Sequence, residues 1–206
     1  MLITAIEKLK GTTYALYVDG EKAFNIDLET VMSEHLKEGL DISCDRLNEI
    51  NNAVLMRKAR EKALYLLSYR DHSRKQLFDK LKRTSSDTIA DVICDKMEEI
   101  GLLNDEVYSQ KLAHHLLKVK KQSEIKVRFE LKKAGISEHL IEQAISENYV
   151  DARDTITAII AKKYKNKLDN PDNIRKTLAS LMRQGFSYDD VKSAVNRYIK
   201  DGGIDD

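Results

Sequence analysis

The stretch "VRFELKKAGISEHLIEQAI", residues 127–145, is written again fifty residues later as "TLASLMRQGFSYDDVKSAV", residues 177–195. A third, blurred copy, "LFDKLKRTSSDTIADVI", starts at Leu77. A fixed period of this kind marks a repeat architecture, in which neighbouring units bury each other's apolar faces. The residues inside the stretch say what a unit contains. With Gly135 in the left-handed conformation just past a helix end, Ile136 folds back against Leu131. Ser137 then opens the next helix, and Ile136 also packs on Ile141 at its fourth position. The same set returns as Leu181, Gly185, Phe186, Ser187 and Val191, with Asp190 completing a capping box on Ser187. The repeated phrase is a helix–turn–helix corner.

Outward from each corner, apolar residues continue at helical spacing: Ile141, Ala144 and Ile145, then Val191, Ala194, Val195, Tyr198 and Ile199. Ile89, Ile93 and Met97 take that part in the first copy, where the glycine is missing from "KRTSS". Ser85 enters the left-handed region poorly, so this corner must close by other means. A preceding helix also recurs, as Ala63, Leu66 and Leu67 against Ala113, Leu116 and Leu117, with "TITAIIAKKYKN" as a looser third copy. Asn170-Pro171-Asp172 supplies an N-cap, a proline at the first helical position and an acidic first turn. Each unit therefore holds three helices, and there are three units.

The first 27 residues alternate in period two instead. "LITAIEKL", "YALYVDGEKAF" and "NIDL" read as short strands, and Asp19-Gly20 as a type I′ hairpin turn. "LETVMSEHLKEGL" reads as a short helix ending at Gly39, and Ser43 begins a helical pattern that leads into the first repeat. This piece is too small to form a core alone and is expected to pack on the repeats. The expected fold is mainly α: three tandem three-helix repeats forming an elongated, curved body, with a small N-terminal β-hairpin and short-helix extension. The expected boundaries are 1–55 for the extension, 56–105, 106–150 and 151–200 for the repeats, and 201–206 for an acidic tail.

Composition narrows the function. Among 206 residues no 18-residue apolar run exists, so no membrane-spanning helix is expected. The first residues lack a basic stretch, an apolar block and a small-residue cleavage site, so no signal peptide is read there. Cys44 and Cys94 form no CxxC and no disulfide framework, which suits a cytoplasmic protein, and both read as buried, inert thiols. The sequence holds none of the phosphate-loop, dinucleotide, nucleophile-elbow or HExxH motifs. His114 and His115 are adjacent and point about 100° apart on a helix, so they cannot share a metal. No enzyme, cofactor or metal site is expected.

Charge is more informative. Residues 1–56 carry 5 Lys/Arg against 10 Asp/Glu, and residues 57–200 carry 30 against 21. From Lys111 to Lys133 there are eight Lys/Arg against Glu124 and Glu130. "RDHSRKQLFDKLKR" and "KKYKNK" add to this, with Tyr69, Phe78, Phe129 and Tyr164 interleaved. For a single lysine a solvated helix face is the plain reading. The clustered set suits a polyanion or an acidic protein groove, and no groove-reading motif points to sequence-specific recognition.

The block "YLLSYRDHSRKQLFDKLKR…IADVICDKMEEIGLLNDEVYSQKL", residues 65–112, resembles the RecX family of bacterial regulatory proteins. Arg70, Ser73 and Leu77 match its R-x-x-S-x-x-x-L spacing, and Gly101-Leu102-Leu103-Asn104-Asp105 is followed by an aromatic at Tyr108. "ELKKAGISEHLIEQAI" resembles the family's second-repeat corner. A glycine-proline pair common before the second-repeat middle helix is Gln122-Ser123 here. The resemblance implies a non-catalytic modulator of the RecA recombinase. Such a protein binds along the RecA–single-stranded DNA filament and inhibits its ATPase, strand exchange and extension.

The expected partners are the RecA filament and single-stranded DNA, met directly or within the filament, with the protein acting as a monomer. A stand-alone, sequence-nonspecific DNA-binding protein and a helical scaffold are the alternatives. The binding candidates, chosen by charge density and place in the matched blocks, are Arg70, Arg74, Lys75, Lys118, Lys120, Lys121, Lys126 and Arg128.

Overall fold

The computed structural model describes residues 1–165 and 168–200; the acidic tail and part of "KKYKNK" lie outside them. The described chain forms two units, one of Met1–Arg70 with Leu77–Leu102, the other of Asp71–Gln76 with the residues from Leu103 onward.

In the first unit, β1 (Ile3–Lys8), β2 (Thr13–Val18) and β3 (Glu21–Asp27) make an antiparallel sheet in that order. The expected hairpin is its β2–β3 half. Asp19 and Gly20 turn it with φ of 51° and 86°, the two positive values of a type I′ turn. Helix α1 (Leu28–Ser33) stops well short of Gly39. His35 adopts φ 50°, and the Leu36 N–H reaches the Val31 carbonyl at 2.9 Å, a Schellman closure that drives Leu36 into the core. Gly39 instead donates to the Ile3 carbonyl at 2.8 Å, fastening the segment along β1.

Helix α2 (Cys44–Tyr69) is 26 residues long and is capped by the Ser43 hydroxyl, which accepts from Arg46 N. Leu47, Ile50 and Val54 cover the sheet's apolar face of Ile3, Leu16, Val18 and Ile26. The helix runs on unbroken past residue 55, so the extension and the first repeat share it. Cys94 is buried as expected, but Cys44 is exposed, because it opens α2 on the solvent side and accepts only a long contact from Asn48 Nδ2 at 3.7 Å.

Helices α3 (Arg74–Leu81) and α4 (Asp87–Glu99) complete the first repeat. Its corner closes without a left-handed residue. The Leu81 carbonyl accepts from Thr84 N, Ser85 N and the Ser85 hydroxyl at 3.0–3.1 Å. From α2, the Lys62 ammonium donates to the Lys80 carbonyl and the Thr84 hydroxyl, each at 2.9 Å. The carbonyls that a glycine turn would satisfy are met here by two backbone N–H groups, the Ser85 hydroxyl and one lysine.

The second unit holds the other two repeats: α5 (Asp105–His114), α6 (Glu124–Lys133) and α7 (Glu138–Glu147), then α8 (Ala152–Lys163), α9 (Pro171–Arg183) and α10 (Tyr188–Lys200). Gly135 and Gly185 have φ of 84° and 90°. Ile136 N bonds to Leu131 O at 3.1 Å, and Phe186 N to Leu181 O at 3.4 Å, as the corner pattern predicts. The caps differ in detail. Ser137 makes no side-chain cap bond, whereas the Ser187 hydroxyl accepts from Asp190 N and donates to Asp190 Oδ2 at 2.6 Å. The expected capping box therefore closes on the hydroxyl instead of the backbone N–H. Each repeat has its own core, Leu116, Val127, Leu131 and Ile141 in one, Ile156, Ile160, Leu181 and Val191 in the other.

A serine links successive middle helices. The buried Ser73 hydroxyl accepts from Gln76 N and donates to the Ala134 carbonyl at 2.6 Å. The Ser123 hydroxyl likewise accepts from Lys126 N and donates to the Gln184 carbonyl at 2.7 Å. Each serine caps its own helix start and ties off the end of the middle helix in the next repeat. This explains the glycines twice over. A Cβ at Gly135 would lie 2.6 Å from Lys75 Cβ, and one at Gly185 2.6 Å from Ser123 Oγ. The first repeat follows no other, so its corner has no such helix start to accommodate.

Candidate functional site

The basic segment of the second repeat begins where α5 loses its regular pitch. His115–Val119 is a π-helical turn, with Lys120 N bonded to His115 O at 2.9 Å and Gln122 N to Leu116 O at 3.0 Å. The wider turn lets the consecutive Leu116 and Leu117 both enter the core. Lys118, Val119, Lys120 and Lys121 are left exposed. π-Turns of this kind concentrate at functional sites. The segment ends with Lys121 at φ 54°, a left-handed conformation that opposes a side-chain-bearing residue by about 1 kcal/mol. Ser123 then starts α6 at the serine link.

From α6, Lys126 projects into solvent and Arg128 does not stand free. The Arg128 guanidinium bonds to Glu142, to Glu124 at 3.1 Å and to Glu138 at 3.2 Å. These bonds, above all that to Glu142, hold its pKa above the ordinary arginine value and hold the Glu142 carboxyl below its own. The positive charge read from the sequence at 128 is thus answered locally. Lys132 is similarly paired with Glu138, at 3.0 Å. By contrast, Lys118, Lys120, Lys121 and Lys126 make no ion pair among the described residues.

Lys75 joins this group through the serine link. It follows Arg74 on the first turn of α3, and its ammonium lies 3.5 Å from the carbonyl of Lys133 at the end of α6. Arg74 itself is half-buried, with its backbone N–H donating to Asp105 Oδ1 at 2.7 Å. Burial pushes the Asp105 carboxyl up, against the lowering effect of that bond. Arg70 is exposed and forms the C-cap of α2 in the first unit. Of the eight residues singled out by charge, Lys118, Lys120 and Lys121 stand on the turn before α6, Lys126 on its first turn, and Lys75 beside its far end.

Sequence reading met Ser73, Ser123 and Asp105 only as letters of the matched blocks and Lys133 only as part of the basic run, and gave none of them a role. The serines did carry a signal, since Ser73 and Ser123 stand one period apart, each before a middle helix. No group of three or more His, Cys, Asp or Glu able to hold a metal occurs among the described residues, and no described helix is long and apolar enough to cross a membrane. What the arrangement offers chemically is a set of solvated ammonium groups for phosphate or carboxylate.

Comparison with known proteins agrees with this fold. The family model for the first three-helix domain of RecX matches residues 59–94, and that for the second matches residues 104–145. The chain is similar to the regulatory protein RecX of Clostridioides difficile (strain 630), with 29% identity over 203 residues covering 96% of each chain. It is also 29% identical over 199 residues to the regulatory protein RecX of Caldanaerobacter subterraneus subsp. tengcongensis, covering 95% of this chain and 99% of that one. Among solved structures, one of a regulatory protein RecX superposes with a TM-score of 0.60 at 23% identity, over 97% of this chain and 98% of the other. RecX from Lactobacillus salivarius superposes with a TM-score of 0.60 at 26% identity, over 70% of this chain and 97% of the other.

Proposed function

The chain belongs to the RecX family, and from that premise we propose that it is a non-catalytic regulator that binds the RecA–single-stranded DNA filament. Bound there, it inhibits the filament's ATPase, strand exchange and extension, acting as a cytoplasmic monomer without a cofactor. The observation that supports the reading is the group of exposed lysines at 118, 120, 121 and 126, which no carboxylate among the described residues neutralises. Ammonium groups of this kind meet phosphates without reading sequence, and the affinity they give falls steeply with salt. Such contacts match a partner whose DNA differs in sequence from one filament to the next.

The same lysines favour a second reading, a sequence-nonspecific DNA-binding protein that acts with or without a recombinase. One experiment separates the two: ATP hydrolysis by preformed RecA filaments on single-stranded DNA, with this chain added well below one copy per RecA. Strong inhibition at such ratios is the expected result and requires capping or disassembly of filaments. Inhibition only near saturation, relieved by extra single-stranded DNA, would assign the protein to simple competition for DNA. Unchanged hydrolysis would overturn the regulator reading.

A further inference from the structure

The sequence holds four phenylalanines, and they do not share one environment. Phe24 and Phe78 are half-buried and Phe186 is buried, but Phe129 on α6 is 62% exposed. Nothing in the core of the second repeat needs this ring, since Val127 and Leu131 supply the apolar face of α6. Ile125, four residues before, is 68% exposed and extends the same face.

Two lysines flank the ring on one side, and Lys132, three residues after it, is paired with Glu138. Lys126 lies three residues before Phe129 and Lys133 four after, which places both on its side of the helix. Lys75 reaches the same end of α6, with its ammonium 3.5 Å from the Lys133 carbonyl. None of the three makes an ion pair among the described residues. Of the carboxylates of this helix, Glu124 is bound to Arg128, and Glu130 stands about 100° round from the ring, beside Lys126 and Lys133 but without an ion pair to either among the described residues. Two apolar side chains are far too little area for a stable protein partner. One bare ring face flanked by ammonium groups is what a stacked base with its phosphates requires.

We propose that Phe129 is a stacking platform for a base of single-stranded nucleic acid, with Lys126, Lys133 and Lys75 holding the adjoining phosphates. A phenyl ring carries no hydrogen-bonding group, so the platform takes any base. The inference deepens the proposed function and rests on its premise that the chain meets single-stranded DNA.

The chain has no tryptophan, so Phe129→Trp makes position 129 its sole indole fluorophore. Titration with a thymidine oligonucleotide at low salt is expected to quench that emission, and added salt to restore it. Phe129→Ala is expected to weaken binding of a labelled oligonucleotide about tenfold, within the range one stacked base contributes. Its melting temperature should stay unchanged, because the ring is exposed. Oligonucleotide binding seen by anisotropy with no change in the tryptophan emission would overturn the proposal. So would an emission change produced by RecA alone and not by DNA, which would assign the ring to a protein surface. The ATPase assay keeps the two readings apart. A variant with silent tryptophan that still inhibits RecA removes the stacking platform alone, and a quenched tryptophan without inhibition removes the regulator alone.

Discussion

The Ser123 hydroxyl is 4% exposed in its residue, accepts from Lys126 N and donates to Gln184 O, so one small group satisfies two helix ends. Buried polar groups that lose such a partner leave the other atom unsatisfied, which costs roughly 1–3 kcal/mol. Gly185 sits against this hydroxyl at a distance no side chain tolerates, 2.6 Å from the position of a Cβ. Gly185→Ala should therefore lose about 1 kcal/mol from its left-handed backbone and roughly 1–3 kcal/mol more from the displaced bond. Gly101, at φ 74° with nothing within 4 Å of its Cβ position, should lose only the first contribution on substitution by alanine. Thermal melts of the two variants read the difference directly, and equal losses would remove the serine link from the account. Arg128 shows the same scale at work on charge. Its three carboxylate partners turn a residue that looks like part of a binding surface into a clasp between α6 and α7.

At the scale of elements, the helix ends are decided by a few local bonds, and the exceptions are instructive. Most corners follow the sequence rule of an apolar residue, a glycine and an apolar residue. Lys121 breaks it, closing the π-turn with φ 54° where glycine would be at ease. Lys121→Gly is expected to melt at or above the parent temperature, because relief of about 1 kcal/mol of backbone strain offsets the added freedom of the unfolded chain. Lys126→Gly, in the regular part of α6, is expected to lower stability by about 1 kcal/mol. A lower melting temperature for Lys121→Gly than for Lys126→Gly would show that the lysine side chain itself holds the turn. α1 makes the complementary point. Its pattern ran on to Gly39, but Leu36 enters the core beside Val31, so His35 takes the left-handed turn and the helix is only six residues long.

For the whole molecule, charge partition matters more than total charge, which is only +1. Residues 57–200 carry the excess of Lys and Arg, and the structure divides that excess into paired and unpaired groups. Reversal of Lys118, Lys120, Lys121 and Lys126 to glutamate should weaken single-stranded DNA binding and make its salt dependence shallower. Four lost phosphate contacts lower the slope of log K against log salt by up to about 3. Arg128→Ala should leave that slope unchanged and lower the melting temperature, because its charge is already held by Glu124, Glu138 and Glu142. A shallower slope from Arg128→Ala would return that residue to the binding surface. The repeat, its three-helix content, the corner glycines and the caps at Ser43, Asn170 and Ser187 were legible in the amino-acid sequence. They depend on residues within five or six positions of one another, where helix geometry leaves few choices. Tertiary structure alone decided the rest. Lys62 closes the corner that lacks a glycine, and Ser73 and Ser123 reach carbonyls 61 residues ahead. Arg128 finds carboxylates up to 14 residues away, and Phe129 is left in solvent because Val127 and Leu131 already fill the core. Each of these is a contact between elements, and its partner is set by packing and not by spacing along the chain.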